Sequence, residues 1–126
     1  MYKIRTEFNF EAAHKLNLSY DSPCNSLHGH SYMCAVTIAA TELNQDGMIC
    51  DFKVLKSIIR SAVEDRLDHK YLNDVFQTNG NTTAEFMSKW ICDVINQHLK
   101  ALEINARCVC VELNETAKNR AIWEEE

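Results

Sequence analysis

Polar and apolar residues alternate almost from the first position of the chain. Ile4, Phe8, Phe10 and Ala12 share one parity and Arg5, Glu7, Asn9 and Glu11 the other, which is the period of a half-buried strand. His14 continues the apolar parity. The stretch from Asn17 to Asn25 is rich in Asn, Ser and Asp, holds the only proline, Pro23, and reads as a loop. A second strand runs from Gly29 to about Thr41, with Tyr32, Cys34, Val36 and Ile38 on one face and His28 and His30 in the same parity. Asn44-Gln45-Asp46-Gly47 has the composition of a turn. Met48 to Cys50 is expected to extend the sheet before Asp51 caps a helix.

The period then changes. Phe52, Leu55, Ile58, Ile59, Ala62, Val63 and Leu67 recur at helical spacing, with Lys53, Lys56, Arg60 and Glu64 off the stripe. Asp68-His69 and Asn73-Asp74 fall in a connection that leads to Asn79-Gly80-Asn81. Thr82 and Glu85 have capping-box spacing and open a second helix that buries Phe86, Trp90, Ile91, Val94, Ile95 and Leu99. Val109, Val111 and Leu113 alternate with Cys108, Cys110 and Glu112 as a third strand, and a short fourth is expected around Ala121 to Trp123. The order ββααββ predicts an α+β fold: two hairpins of antiparallel sheet with two helices on one face. Residues 1–126 read as a single domain, with Glu124-Glu125-Glu126 as a solvated acidic tail.

Composition narrows the function classes. The apolar fraction of 46% is ordinary for a globular protein, and no run approaches the ~20 residues of a membrane span. The first residues lack the apolar core of a signal peptide, so a soluble cytoplasmic protein without membrane partners is expected. A net charge of −5 with no basic run argues against nucleic acid as a partner. The six cysteines contain no Cys-x-x-Cys pair, and reduced thiols are expected. Cys34, Cys92, Cys108 and Cys110 lie in patterned apolar segments, whereas Cys24 lies in the polar loop.

Candidate chemistry centres on histidine. In His28-Gly29-His30 the two imidazoles project to the same side of a strand, and antiparallel pairing can bring His14 alongside. Three imidazoles with an open fourth position form a catalytic zinc arrangement. Spacing alone leaves ordinary surface or core histidines open. Cys24 reads as a fourth ligand, as a thiolate beside the metal, or as a plain loop thiol. Asp68 can orient His69 for proton transfer, or the two can simply end a helix. Glu115 can accept paired hydrogen bonds from an amidine-like edge, as in a pterin or guanine ring, or sit on a surface turn. Lys15, Arg107, Lys118 and Arg120 are candidate anion contacts or plain surface charges.

Several stretches then align in order: Phe8 to His14, Cys24-Asn25-Ser26-Leu27-His28-Gly29-His30-Ser31, Asp51-Phe52 with Leu55-Lys56, Leu67-Asp68-His69, Asn81-Thr82-Thr83-Ala84-Glu85, and Glu115-Thr116. Together they resemble the 6-pyruvoyltetrahydropterin synthase family across essentially the whole chain. The likeness is greater to its bacterial branch, which makes 6-carboxy-5,6,7,8-tetrahydropterin for queuosine. The resemblance implies a tunnelling fold and a homohexamer built as a dimer of trimers. It implies Zn2+ on His14, His28 and His30, Cys24 as catalytic cysteine, and Asp68 and His69 as a proton relay. Glu115 would anchor the pterin, with Thr82 and Thr83 lining its pocket from a neighbouring subunit. The implied substrate is 7,8-dihydroneopterin triphosphate, with acetaldehyde and triphosphate released. A pyruvoyl product and a non-catalytic zinc- or pterin-binding module are the alternatives. A folate-linked branch carries glutamate near the cysteine position, and Cys24 argues against it.

Overall fold

In the computed structural model, which describes residues 1–77 and 81–126, the alternating segments form one long hairpin. Strand β1 (Tyr2–His14) pairs antiparallel with β2 (His28–Ala40) in unbroken register, from Tyr2 opposite Ala40 to His14 opposite His28. Phe8, Phe10, Ala12 and His14 are buried together with Tyr32, Cys34, Val36 and Ile38, as shared parity requires. The opposite parity of β1 is solvated, and there Arg5 reaches Glu7 at 2.9 Å and Glu112 at 3.0 Å.

Met48–Cys50 does not extend the sheet. It runs as bends, because the Asn44 Oδ1 accepts from the N–H groups of Asp46 (2.9 Å) and Met48 (3.0 Å). A turn side chain thus takes the donors a neighbouring strand would have used. Asp51 caps helix α1 (Phe52–Ile59), accepting from the Lys53 N–H at 2.8 Å. The helix continues through a π-helical stretch, Arg60–Glu64, into a last turn, Asp65–Leu67. Leu55, Ile58, Ile59, Ala62, Val63 and Leu67 are buried as the stripe predicts, but Phe52, at the first helical position, is exposed.

Two elements were invisible to periodicity. A two-residue strand, β3 (Lys70–Tyr71), lies parallel to β1, and a short helix, α2 (Leu72–Phe76), follows it. Neither is long enough to complete a recognisable period. Asn79 and Gly80, to which that connection leads, lie outside the described residues.

Helix α3 (Ala84–Ala101) is capped by Thr83, whose Oγ1 accepts from the Phe86 N–H at 3.1 Å, rather than by Thr82. A cap of this kind contributes about 1 kcal/mol. Thr82 is freed for another contact. Ile91, Val94, Ile95 and Leu99 are fully buried with Met87 and Cys92. Phe86 and Trp90 are half-buried and close edge-on over Phe76, at 5.2 and 4.9 Å.

Strand β4 (Arg107–Asn114) pairs with β2, and β5 (Arg120–Glu124) adds to β4, giving the order β3-β1-β2-β4-β5. Thr37 faces Cys110 while Ile38 faces Cys108, so Val109 is the extra residue of a bulge. The bulge reverses parity. Cys108 is therefore buried alongside Val111 and Leu113, and Val109, expected to share their face, is half-exposed. Nor is the acidic end a free tail. Glu124 belongs to β5, the Glu125 N–H donates to the Val109 carbonyl at 2.8 Å, and the Glu125 carboxylate pairs with Arg107 at 3.0 Å. The helices and the inward parity of the sheet enclose one core, the α+β layering read from the sequence. Among the described residues no helix is long and apolar enough to cross a membrane.

Candidate metal centre and active site

The unbroken β1–β2 register decides the geometry at the end of the hairpin. It sets His14 directly across from His28, and His30 follows one period along the same face. The three ring centroids lie 4.7, 5.3 and 4.9 Å apart, and one nitrogen from each ring lies within 4.8 Å of the others. His14 is completely buried.

Hydrogen bonds at the far side of two rings fix which nitrogen is free. His14 Nδ1 donates to the Thr82 carbonyl at 2.8 Å, with the Thr82 hydroxyl at 3.1 Å. His28 Nδ1 donates to the Ser26 carbonyl at 2.7 Å. A carbonyl can only accept, so each Nδ1 carries the proton and each Nε2 keeps its lone pair. Buried Nε2 atoms of His14 and His30 have no hydrogen-bond partner. Buried polar atoms are normally paired. Convergent orphan lone pairs, tied off behind by carbonyl acceptors, are the donor set of a metal site.

Electrostatics agree. Burial depresses the His14 imidazolium below its ordinary pKa of 6.5, the Thr82 carbonyl opposes this, and His28 and His30 add to it. Burial likewise depresses His30, with Glu115 opposing and His28 adding. Burial thus favours the neutral form of both rings, the form that can donate a lone pair. In the metal-free chain the unfolded state binds more protons than the folded one just below pH 6.5, so stability rises with pH through that window. The urea midpoint of metal-free protein is expected to fall as pH drops from about 7 to about 5.5. A flat midpoint, or a rise on acidification, contradicts it.

Glu115 comes to this site by parity. It continues the inward face of Val111 and Leu113, and β4 ends with Asn114 opposite Met33. Its Oε1 lies 3.5 Å from His30 Nε2, too far for a good hydrogen bond. Tyr32, two residues beyond His30, stacks on Phe10 at 4.8 Å and meets His30 edge-on at 5.4 Å. Its hydroxyl is buried and unpartnered, and burial followed by the Glu115 charge pushes its pKa well above the usual phenol range. The sequence signal for Tyr32 was its parity with His28 and His30, which fits a core aromatic equally well.

The other predicted residues surround the cluster without joining it. Cys24 is half-buried in a 3-10 turn, Pro23–Asn25, with the Ser22 hydroxyl accepting from its N–H at 3.2 Å. Its carbonyl accepts from the Leu16 N–H at 2.8 Å. Asp68 and His69 do touch: Asp68 Oδ1 lies 3.0 Å from His69 Nδ1 and accepts from the Glu11 N–H at 2.9 Å. The Glu11 amide, then His69, hold the Asp68 carboxyl below its ordinary pKa. His69 has a left-handed backbone, φ 59°, which is costly for a residue with a Cβ. It lines an open depression of about 560 Å³ with Glu11, Ala13, Gly29 and Ser31, and His30 of the histidine cluster borders the same depression. His69 and one of the three clustered histidines thus share a depression within one chain. Thr82 reaches His14 of its own chain, and Thr83 caps α3. Arg107 and Arg120 are already paired, with Glu125 and Glu112.

Fold and site together define a class, an α+β scaffold carrying three convergent imidazoles that could hold a metal. Residues 3–126 match the family model described as 6-pyruvoyl tetrahydropterin synthase, and the chain belongs to that family. A 6-carboxy-5,6,7,8-tetrahydropterin synthase from Synechocystis sp. is 40% identical over 95 residues, 72% of each chain. One of the same name from Bacillus subtilis is 28% identical over 97% of this chain and 84% of its own. The fold matches that of the 6-pyruvoyl tetrahydropterin synthase of Caenorhabditis elegans with a TM-score of 0.80, covering 99% and 96% of the two chains at 24% identity. These relatives support a pterin synthase function, a lyase-type activity on a small pterin substrate.

Proposed function

We propose that the chain is a zinc-dependent 6-carboxy-5,6,7,8-tetrahydropterin synthase of queuosine biosynthesis. It takes 7,8-dihydroneopterin triphosphate and releases acetaldehyde and triphosphate, in the cytoplasm, with neither membrane nor nucleic acid as partner. The observation that carries this reading is the set of three imidazoles whose free nitrogens lie within 4.8 Å of one another. His14, His28 and His30 would hold the metal, and Zn2+ bound there supplies Lewis acidity toward the side-chain hydroxyls of the substrate.

The chain's own residues supply the rest. The Glu115 carboxylate accepts the paired N–H groups of the pterin edge and orients the ring. Cys24, as thiolate, takes a proton from the substrate side chain. His69, aligned by the Asp68 carboxylate, moves the second proton. Thr82 and Thr83 line the pterin pocket of a neighbouring subunit. The chain would act as a homohexamer built as a dimer of trimers.

The test is a product assay. Purified protein, zinc and 7,8-dihydroneopterin triphosphate are incubated and the products identified by mass. The carboxy product with acetaldehyde is expected. A pyruvoyl product would move the chain to the other branch, and pterin binding without turnover would reduce it to a binding module.

A further inference from the structure

Strand β1 loses its partners at His14, yet the next four residues stay ordered by an arrangement that resembles a ladder. The Lys15 N–H donates to Asn73 Oδ1 at 3.1 Å, and Asn73 Nδ2 donates back to the Lys15 carbonyl at 2.8 Å. Two residues on, the Asn17 N–H donates to Asn81 Oδ1 at 2.7 Å, and Asn81 Nδ2 lies 3.4 Å from the Asn17 carbonyl. Each side-chain amide exchanges both bonds with one residue, as an opposed residue does in an antiparallel sheet. The intervening residues point to the other edge. There the Leu16 N–H donates to the Cys24 carbonyl at 2.8 Å, and the Leu18 N–H to Asn25 Oδ1 at 2.9 Å. The turn that holds Cys24 also ends in Ser26, whose carbonyl fixes His28.

We propose that Asn73 and Asn81 are positioning residues for Cys24, clamping residues 15–18 from the helical side so that the opposite edge presents the cysteine turn at a set distance from His14 and His28. The role in turnover rests on the pterin synthase reading; the clamp itself does not. An amide is the side chain suited to this, because it offers donor and acceptor at the spacing of a peptide group. Both residues come from the helical layer, Asn73 from α2 and Asn81 from the approach to α3, so the layer that buries the core also sets the site loop. Neither touches the convergent histidine nitrogens.

The experiment compares Asn73→Ala, Asn81→Ala and the corresponding Asp variants with the wild type. For each protein, zinc content, thermal midpoint, kcat and KM are measured, with the rate at which iodoacetamide alkylates Cys24, read by peptide mass. Expected is a kcat lower by about 10- to 100-fold in the Ala variants, the scale of a displaced reacting group, with KM and zinc content nearly unchanged. Alkylation of Cys24 should be several-fold faster, and the Asp variants, which keep the acceptor and lose the donor, should fall between. If an Ala variant does not fold, its Asp counterpart carries the same comparison. Unchanged kcat together with unchanged alkylation overturns the clamp, and so does a kcat loss that tracks lost zinc. Should the wild type show no turnover, the functional reading fails, and the alkylation rates alone decide the clamp.

Discussion

His14→Ala is expected to bind zinc far more weakly than the wild type while keeping its secondary structure. The imidazole is one corner of the three-histidine cluster, completely buried, between a carbonyl behind it and two facing rings. Losing an outer-shell partner of a metal ligand costs about 10–100-fold in affinity, and losing one of three ligands outright should cost more. The fold has less to lose. The Nε2 atom is an unpaired buried acceptor in the metal-free chain, and removing such an atom relieves a desolvation cost that offsets part of the lost packing. Zinc titration against a competing chelator gives the affinity, and circular dichroism the fold. Wild-type affinity in the variant would refute the metal centre. A variant that unfolds with or without zinc would mean that His14 serves the core, which His14→Asn, a smaller polar replacement, would then confirm or deny by the same titration.

How far the site could be read in advance follows from the kind of signal each part leaves. Parity along β1 and β2 was enough to place His14, His28 and His30 on one face, because a period of two is rigid and a slipped register would expose Phe8, Phe10, Tyr32 and Cys34 together. Glu115 obeyed the same rule through Val111 and Leu113, despite the bulge at Val109 upstream of them. That bulge was illegible, since a single extra residue leaves the composition of a strand intact. So was the choice between Thr82 and Thr83 as cap. Both are good capping residues, and only the three-dimensional demand of His14 for an acceptor assigns one to each task. The amide pairs of Asn73 and Asn81 were hidden for a different reason. Asparagine in a polar connection is the ordinary signature of a turn, and its long-range partners, Lys15 and Asn17, carry no pattern that points to them. Ordered resemblance to the pterin synthases marked Cys24, Asp68 and His69, but it could not say that His69 would take a left-handed backbone and border one depression with His30.

Cys24→Ala should separate chemistry from binding more cleanly than any other substitution. Zinc content should stay at the wild-type level, because the convergent nitrogens belong to the histidines alone, with no thiol within the cluster. Stability should change little: the side chain is only half-buried, and the turn is held by the Ser22 hydroxyl, the Leu16 amide and the Asn25 side chain, all of which survive. Turnover should fall by about 10²- to 10⁴-fold, the range over which a positioned acid or base accelerates proton transfer. KM should hold, since the residues proposed to hold the pterin edge and the metal, Glu115 and the three histidines, are untouched. Single-turnover product formation and bound zinc are measured on the same preparation. Zinc lost from Cys24→Ala would make the thiol a fourth ligand and close the position that substrate needs. Zinc retained with full activity would return the proton transfer to Asp68 and His69 alone. Zinc retained with activity lost leaves the three imidazoles as the anchor and puts the proton chemistry at the thiol beside them.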